Sequence, residues 1–162
     1  MTDGRDIAIT IEQGCYDLRL RDGDLLGDAG LETSIIIALF TDRRVTQEQL
    51  PEFQTDRKGW WGDLIPVVDG DQIGSRLWTL DRSKISNETL RLHEDYTREA
   101  LQHFIEDGVA DSIAVEANYN DDFHLILDID IIRPENQNTR FNIVWDNQSN
   151  VLLNGEAFNA VQ

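Results

Sequence analysis

This chain has little cysteine, little positive charge and no long apolar run, and each shortage removes a class of function. Its one cysteine, Cys15, has no partner for an internal disulfide. A disulfide scaffold and a cysteine-based zinc site are thereby excluded, and a reducing compartment is indicated. Only 14 basic residues face 31 acidic ones, for a formal charge of -17. Such a surface repels phosphate backbones and anionic lipid, so neither nucleic acid nor membrane is expected as a partner. No segment reaches the length of a membrane span, and the opening "MTDGRDIAIT" lacks the basic flank and apolar run of a secretory signal. Synthesis in the cytoplasm is expected.

Catalytic signatures are missing as well. There is no G-x-x-x-x-G-K-[ST], G-x-G-x-x-G or G-x-S-x-G, which leaves nucleotide binding and the common serine hydrolase arrangement without support. His93, His103 and His124 form no metal-binding pair and read as surface or boundary residues. Asp128 and Asp130 share a strand face and could be drawn as a glycosidase acid and base, but a chain this acidic places carboxylates together by chance. "RDGDLLGDAG" and "VDGDQIG" lack the evenly spaced ligands and closing glutamate of a calcium loop. No cofactor and no enzyme activity are expected.

What is present is a core. Apolar residues make up 40% of 162 positions, enough to fold rather than remain disordered. "DIAITIEQGCYDLRLRDGDLL" alternates with period two and reads as a strand pair, with Ile7, Ile9 and Ile11 and then Tyr16, Leu18 and Leu20 on one buried face and a turn at Asp22-Gly23. "DAGLETSIIIALFTDRR" reads as a buried helix that Asp28 or Thr33 could cap. "SNETLRLHEDYTREALQHFIEDG" reads as a long helix, capped by Ser86 or Asn87 and stopped by Gly108. Leu92, Tyr96, Ala100, Leu101, Phe104 and Ile105 form its apolar stripe.

"DSIAVEANY", "DFHLILDIDII" and "RFNIVWD" then read as a three-stranded antiparallel meander, with Phe123, Leu125, Leu127, Ile129 and Ile131 on the core face of the middle strand. The expected fold is α+β: an N-terminal strand pair, two or three helices including a long one, and a C-terminal three-stranded antiparallel meander packed on the helices. Residues 1–150 are expected to form a single domain and residues 151–162 a mobile tail.

Between the helices, Thr46 to Ile73 shows little periodicity and carries Pro51, Pro66 and several glycines. Irregular stretches of that length are usually functional or mobile. At its centre lies "DRKGWWGD", spanning Asp56, Arg57, Lys58, Gly59, Trp60, Trp61, Gly62 and Asp63. These eight residues are the candidate interface or loop anchor. Adjacent residues on an extended chain point to opposite sides, so at least one of the two rings is expected to enter the core while the other covers a partner. After them, Leu77, Trp78 and Leu80 supply apolar contacts for another helical piece.

In order and spacing, "GLETSIIIALFTDRR", "DRKGWWGD", "IGSRLWTLDRSK" and "YTREALQHFIEDGVADSIAV" resemble the baseplate protein family of Mu-like contractile-tailed phages and prophages. The likeness covers about Asp6 to Trp145. It implies a structural protein of the virion tail baseplate, related to the sheath initiators that seed the contractile sheath. Its implied partners are baseplate wedge proteins, the tail hub or tube and the sheath protein, with self-association a further contact. The better-known sheath initiators often carry Glu-Pro-Arg after the long helix. Here Glu106, Asp107 and Gly108 stand instead, so that wedge contact does not transfer.

Linkage to a sheath ring is expected through an exposed strand edge. Two segments are candidates: the N-terminal "DIAITI", and Arg140, Phe141, Asn142, Ile143, Val144 and Trp145. The alternative from another class is a carbohydrate-binding module that stacks sugar rings on Trp60 and Trp61.

Overall fold

A computed structural model describes residues 7–12, 15–18, 20–21, 23–25, 31–52, 54–66, 70, 72–134, 137–146 and 151–159, with residues 10–12, 15, 16, 21, 137, 146 and 151–159 described by their backbone alone. Asp22 and Asp28, named above as turn and cap, and residues 160–162 lie outside this set.

The chain opens with two short antiparallel pairs: β1 (Ile9–Glu12) with β2 (Cys15–Leu18), and β3 (Leu20–Arg21) with β4 (Asp24–Leu25). The expected strand pair is present, but Ile7, Leu18 and Leu20 are exposed rather than buried. Its hold on the rest runs partly through Thr33, whose hydroxyl donates to the Ile7 carbonyl at 3.0 Å and accepts from the Ile9 amide at 3.1 Å. Thr33, one of the two candidate caps, is therefore a clasp between strand and helix, and the N-cap position is Leu31. Helix α1 (Glu32–Phe40) follows, with Ile35, Ile36, Ala38 and Leu39 buried.

Helix α2 (Asn87–Glu106) begins and ends where its sequence indicates. Ser86 Oγ accepts from the Thr89 amide at 3.1 Å. At the other end Gly108 has φ +70, and the amides of Gly108 and Val109 turn back to the carbonyls of Ile105 and Phe104. That closing turn requires a left-handed residue, which glycine supplies without steric cost.

The sheet packed on α2 has four antiparallel strands in the order β5 (Ser112–Tyr119), β6 (Leu125–Arg133), β7 (Gln137–Asp146) and β8 (Val151–Asn159). The expected meander is there as β5–β6–β7. Where a tail was expected, the backbone forms β8 in register with β7, with a shift at Val144/Trp145. This corrects the edge assignment for Arg140, Phe141, Asn142, Ile143, Val144 and Trp145. Each of them faces β6 on one side and β8 on the other, so β7 has no unpaired ladder to offer a partner.

Strand alternation builds the core. Leu125, Leu127, Ile129 and Ile131 of β6 are buried with Phe141, Ile143 and Trp145 of β7 and Val115 and Ala117 of β5, against Leu101, Phe104, Ile35 and Leu39 of the helices. Phe123 departs from the expected pattern. It lies outside β6 with φ +64 and its ring exposed, because Asn120 Oδ1 gathers the amides of Asp122 and His124 into a tight turn. His93 departs too: it is 0% exposed instead of lying at the surface. Its Nδ1 lies 2.7 Å from the Thr89 carbonyl and its ring stands edge-on to Trp145. Burial holds the His93 imidazole below its ordinary pKa.

Candidate functional site

The segment between α1 and α2 is closed at its base by backbone bonds. The Arg43 amide donates to the Ser75 carbonyl and the Ser75 amide to the Thr41 carbonyl, each at 2.9 Å. Gly74 makes this approach geometrically feasible. It has φ +95, and a Cβ there would meet the Thr41 carbonyl oxygen at 2.2 Å. One step out, the Val45 amide donates to the Arg57 carbonyl, and Arg57 Nε donates to the Val45 carbonyl at 2.6 Å.

Above this base sits a clamp drawn from three separated stretches. Lys58 Nζ pairs with Asp42 Oδ2 at 2.7 Å and lies 4.7 Å from the centre of the Trp78 ring. Trp78 Nε1 donates to the Arg43 carbonyl at 2.9 Å, and Trp78 is buried together with Leu77 and Leu80. Asp81 completes the group. Burial raises its pKa to about 6, with Asp42 adding to the rise and Lys58 and Arg82 opposing it. Its Oδ1 is buried without a hydrogen-bond partner among the described residues. The stretches "TDRR", "DRKGWWGD" and "RLWTLDRSK" thus meet in space.

Backbone shape at the clamp is specialised. Lys58 has φ +51 and Gly59 φ +106. Asp56 Oδ1 accepts the Lys58 amide at 2.9 Å, and Arg44 Nη1 donates to the Lys58 carbonyl at 3.1 Å. Any side chain at position 59 would strike Arg44 Cβ at 2.6 Å. Helix α2 is tied in through Glu99, whose carboxylate takes Arg43 at 3.2 Å and Arg76 on its other oxygen. The Arg76 guanidinium in turn lies 4.2 Å from the Tyr96 ring centre.

The two tryptophans occupy the outside of this structure. Trp60 is 45% and Trp61 77% exposed, which corrects the expectation that one ring would be buried. Trp60 is extended, but a turn of 3-10 helix starts at Trp61 and runs to Leu64. Strand alternation therefore stops between them. Both rings lie on one side, with centroids 5.3 Å apart and planes inclined at 45°. Gly62 accommodates the Trp60 ring, since a Cβ there would fall 2.0 Å from Cζ3. Asp63 Oδ1 accepts the Ile73 amide at 3.2 Å. Leu64 and Ile65 are exposed beside the rings.

Anchoring and display are thus divided within one motif. Asp56, Arg57, Lys58, Gly59 and Asp63 fasten the loop; Trp60 and Trp61 face outward with Gly62 beneath. The rings border an open groove that is also lined by Ser34, Ile37 and Ala38 of α1 and by Asp95, Arg98, Glu99, Gln102, His103 and Glu106 of α2. Inclined at 45°, the two rings are not coplanar and do not form one flat platform.

The carboxylates considered for glycan hydrolysis are engaged elsewhere. Asp130 takes a two-pronged bond from Arg140 at 2.5 and 2.7 Å, and Asp128 accepts from Asn142 at 2.7 Å. The bond from Arg140 holds the Asp130 carboxyl below the usual range, the reverse of what a general acid needs. No three His, Cys, Asp or Glu residues are grouped to hold a metal ion among the described residues.

The family model described as "Phage protein GP46" matches residues 31–138. The chain is 42% identical over 130 residues to "Mu-like prophage FluMu protein gp46" of Haemophilus influenzae, covering 80% of this chain and 88% of that protein. It is 40% identical over 113 residues to "Baseplate protein gp46" of Escherichia phage Mu, covering 69% of this chain and 76% of the relative. The matched region of the family model includes the clamp, the tryptophans and α2.

Proposed function

The chain belongs to the phage protein GP46 family, and from that premise we propose that it is a structural, non-catalytic component of a contractile-tail baseplate. Its more specific role is that of sheath initiator, joining the wedge to the first sheath ring by strand pairing. The baseplate name of the phage Mu relative supports the location. The state of the sheet edges supports the linkage.

The four-stranded sheet has two outer edges, and they differ. On β5, Arg98 Nη2 donates to the Val115 carbonyl and Glu94 Oε1 accepts the Ala117 amide, each at 3.2 Å. Side chains of helix α2 therefore take up two hydrogen-bonding groups in the middle of that edge. On β8, β7 is the one ladder partner among the described residues, and β1 packs near it without joining the sheet. An added strand at β8 would be held by main-chain bonds that persist when attached bodies rotate. That property suits a link that must survive contraction.

Electron cryo-microscopy of purified tails tests the reading. It is supported if the sheet continues past β8 into a strand of the sheath protein. It fails if the sheath is contacted through another face, and the baseplate role itself fails if the chain is absent from the particle.

A further inference from the structure

We infer that the exposed side of the tryptophan loop is a second docking surface, distinct from the β8 edge, for a basic segment with apolar anchors on a neighbouring baseplate protein. The inference rests on the baseplate reading for where the partner is found, but not on strand pairing with the sheath.

Three observations carry it. Trp60, Trp61, Leu64 and Ile65 form a run of exposed large apolar side chains, and Ile37 of α1 is exposed in the lining of the groove. Contiguous apolar surface of this kind marks an interaction site. Next, the loop is held in place before any partner arrives, by the Lys58–Asp42 pair, the Arg57–Val45 bonds and the Glu99 links to Arg43 and Arg76. A surface already ordered loses little entropy on binding.

The third observation is charge. Two arginines line the groove, but Arg43 is paired with Glu99 and Arg98 with Glu94 and Asp95, so the charge left over at the end of α2 is that of Glu106 and Asp107, both exposed, on a chain whose formal charge is -17. A second copy of this chain would bring like charge against that end of the helix, and an anionic lipid surface would do the same. A segment with lysine or arginine beside leucine-sized anchors meets both demands: its apolar groups cover Trp61 and Ile65 while its cations face Glu106 and Asp107.

The test replaces Trp61 with the photo-cross-linker p-benzoylphenylalanine, which keeps an aromatic ring, in cells producing the full set of tail proteins. Asp121, exposed in the turn after β5, carries the same probe as a control. The expected result is a cross-link from position 61, absent from position 121, to a baseplate-protein peptide containing both apolar and basic residues. Its yield should fall roughly fivefold in an E106K/D107K background, as rim charges govern encounter. A cross-link to a second copy of the chain, one to an acidic peptide, a yield indifferent to the charge reversal, or no cross-link at position 61 would each overturn the inference. Because whole cells are irradiated, the outcome stands whether or not the β8 edge meets the sheath.

Discussion

Leu127 and Trp61 are both large apolar side chains, yet one is 0% and the other 77% exposed. The sheet around Leu127 is held by apolar burial on alternating positions, supported by ladders in register. The segment around Trp61 is held by a few directed contacts: backbone bonds from Ser75 to Thr41 and Arg43, a lysine between a carboxylate and an indole, and arginines on Glu99. Its own largest apolar groups are left outside. In the first region apolar burial across a sheet holds the fold together; in the second, polar contacts around the buried Trp78 hold the loop, and the loop's own apolar side chains are available to a partner.

The sharpest break of that contrast is Leu127→Ala. At a site with no exposure it should cost about 3 kcal/mol by lost burial and the cavity left behind, read as a lower midpoint in urea. A value near zero would mean that the sheet does not depend on this layer. Next in size is Gly74→Ala, where φ +95 and the 2.2 Å approach to the Thr41 oxygen leave no room for a methyl group. A loss of about 2 kcal/mol is expected. Cleavage of the 46–73 segment by protease should rise with it.

Asp81→Asn should act in the opposite direction, by an amount that depends on pH. The folded pKa, about 6, lies above the ordinary value of 3.8, so the native state favours the protonated acid. The stability this group contributes is complete below pH 3.8 and is lost as pH rises through about 6. Asparagine mimics the neutral form, so the variant should gain on the wild type between pH 4 and pH 7.5 in thermal melts. His93, whose lowered pKa removes stability as pH falls, acts equally on both proteins and cancels from the difference. An advantage that shrinks as pH rises would contradict the assigned cause.

Legibility in the sequence followed the same division. Alternation marked β5, β6 and β7, and Ser86 and Gly108 marked the ends of α2, because these signals are local. Strand β8 escaped because Asn154, Gly155 and Glu156 interrupt the apolar pattern of "VLLNGEAFN", and its pairing with β7 cannot be read from its own residues. The buried row Thr89, His93, Thr97 and Leu101 runs at four-residue spacing along α2. A search for apolar residues alone passes over its polar members.

The clamp had no periodic signature, since Asp42, Lys58, Trp78 and Asp81 come from distant positions. The ordered motifs that carried the family resemblance contained all four, and that grouping was the available signal. Both tryptophans lie outside because the 3-10 turn that starts at Trp61 ends the alternation an extended chain through Gly59–Gly62 would keep.

The smallest expected effect on folding belongs to Trp61→Ser, and it tests the central claim most directly. Thermal melting of the purified variant should stay within about 0.5 kcal/mol of wild type, as for other exposed positions. Its incorporation into tail particles should be lost in the same comparison. A variant that melts like Leu127→Ala, or that enters particles as well as wild type, would contradict the division between a polar anchor and an apolar docking surface.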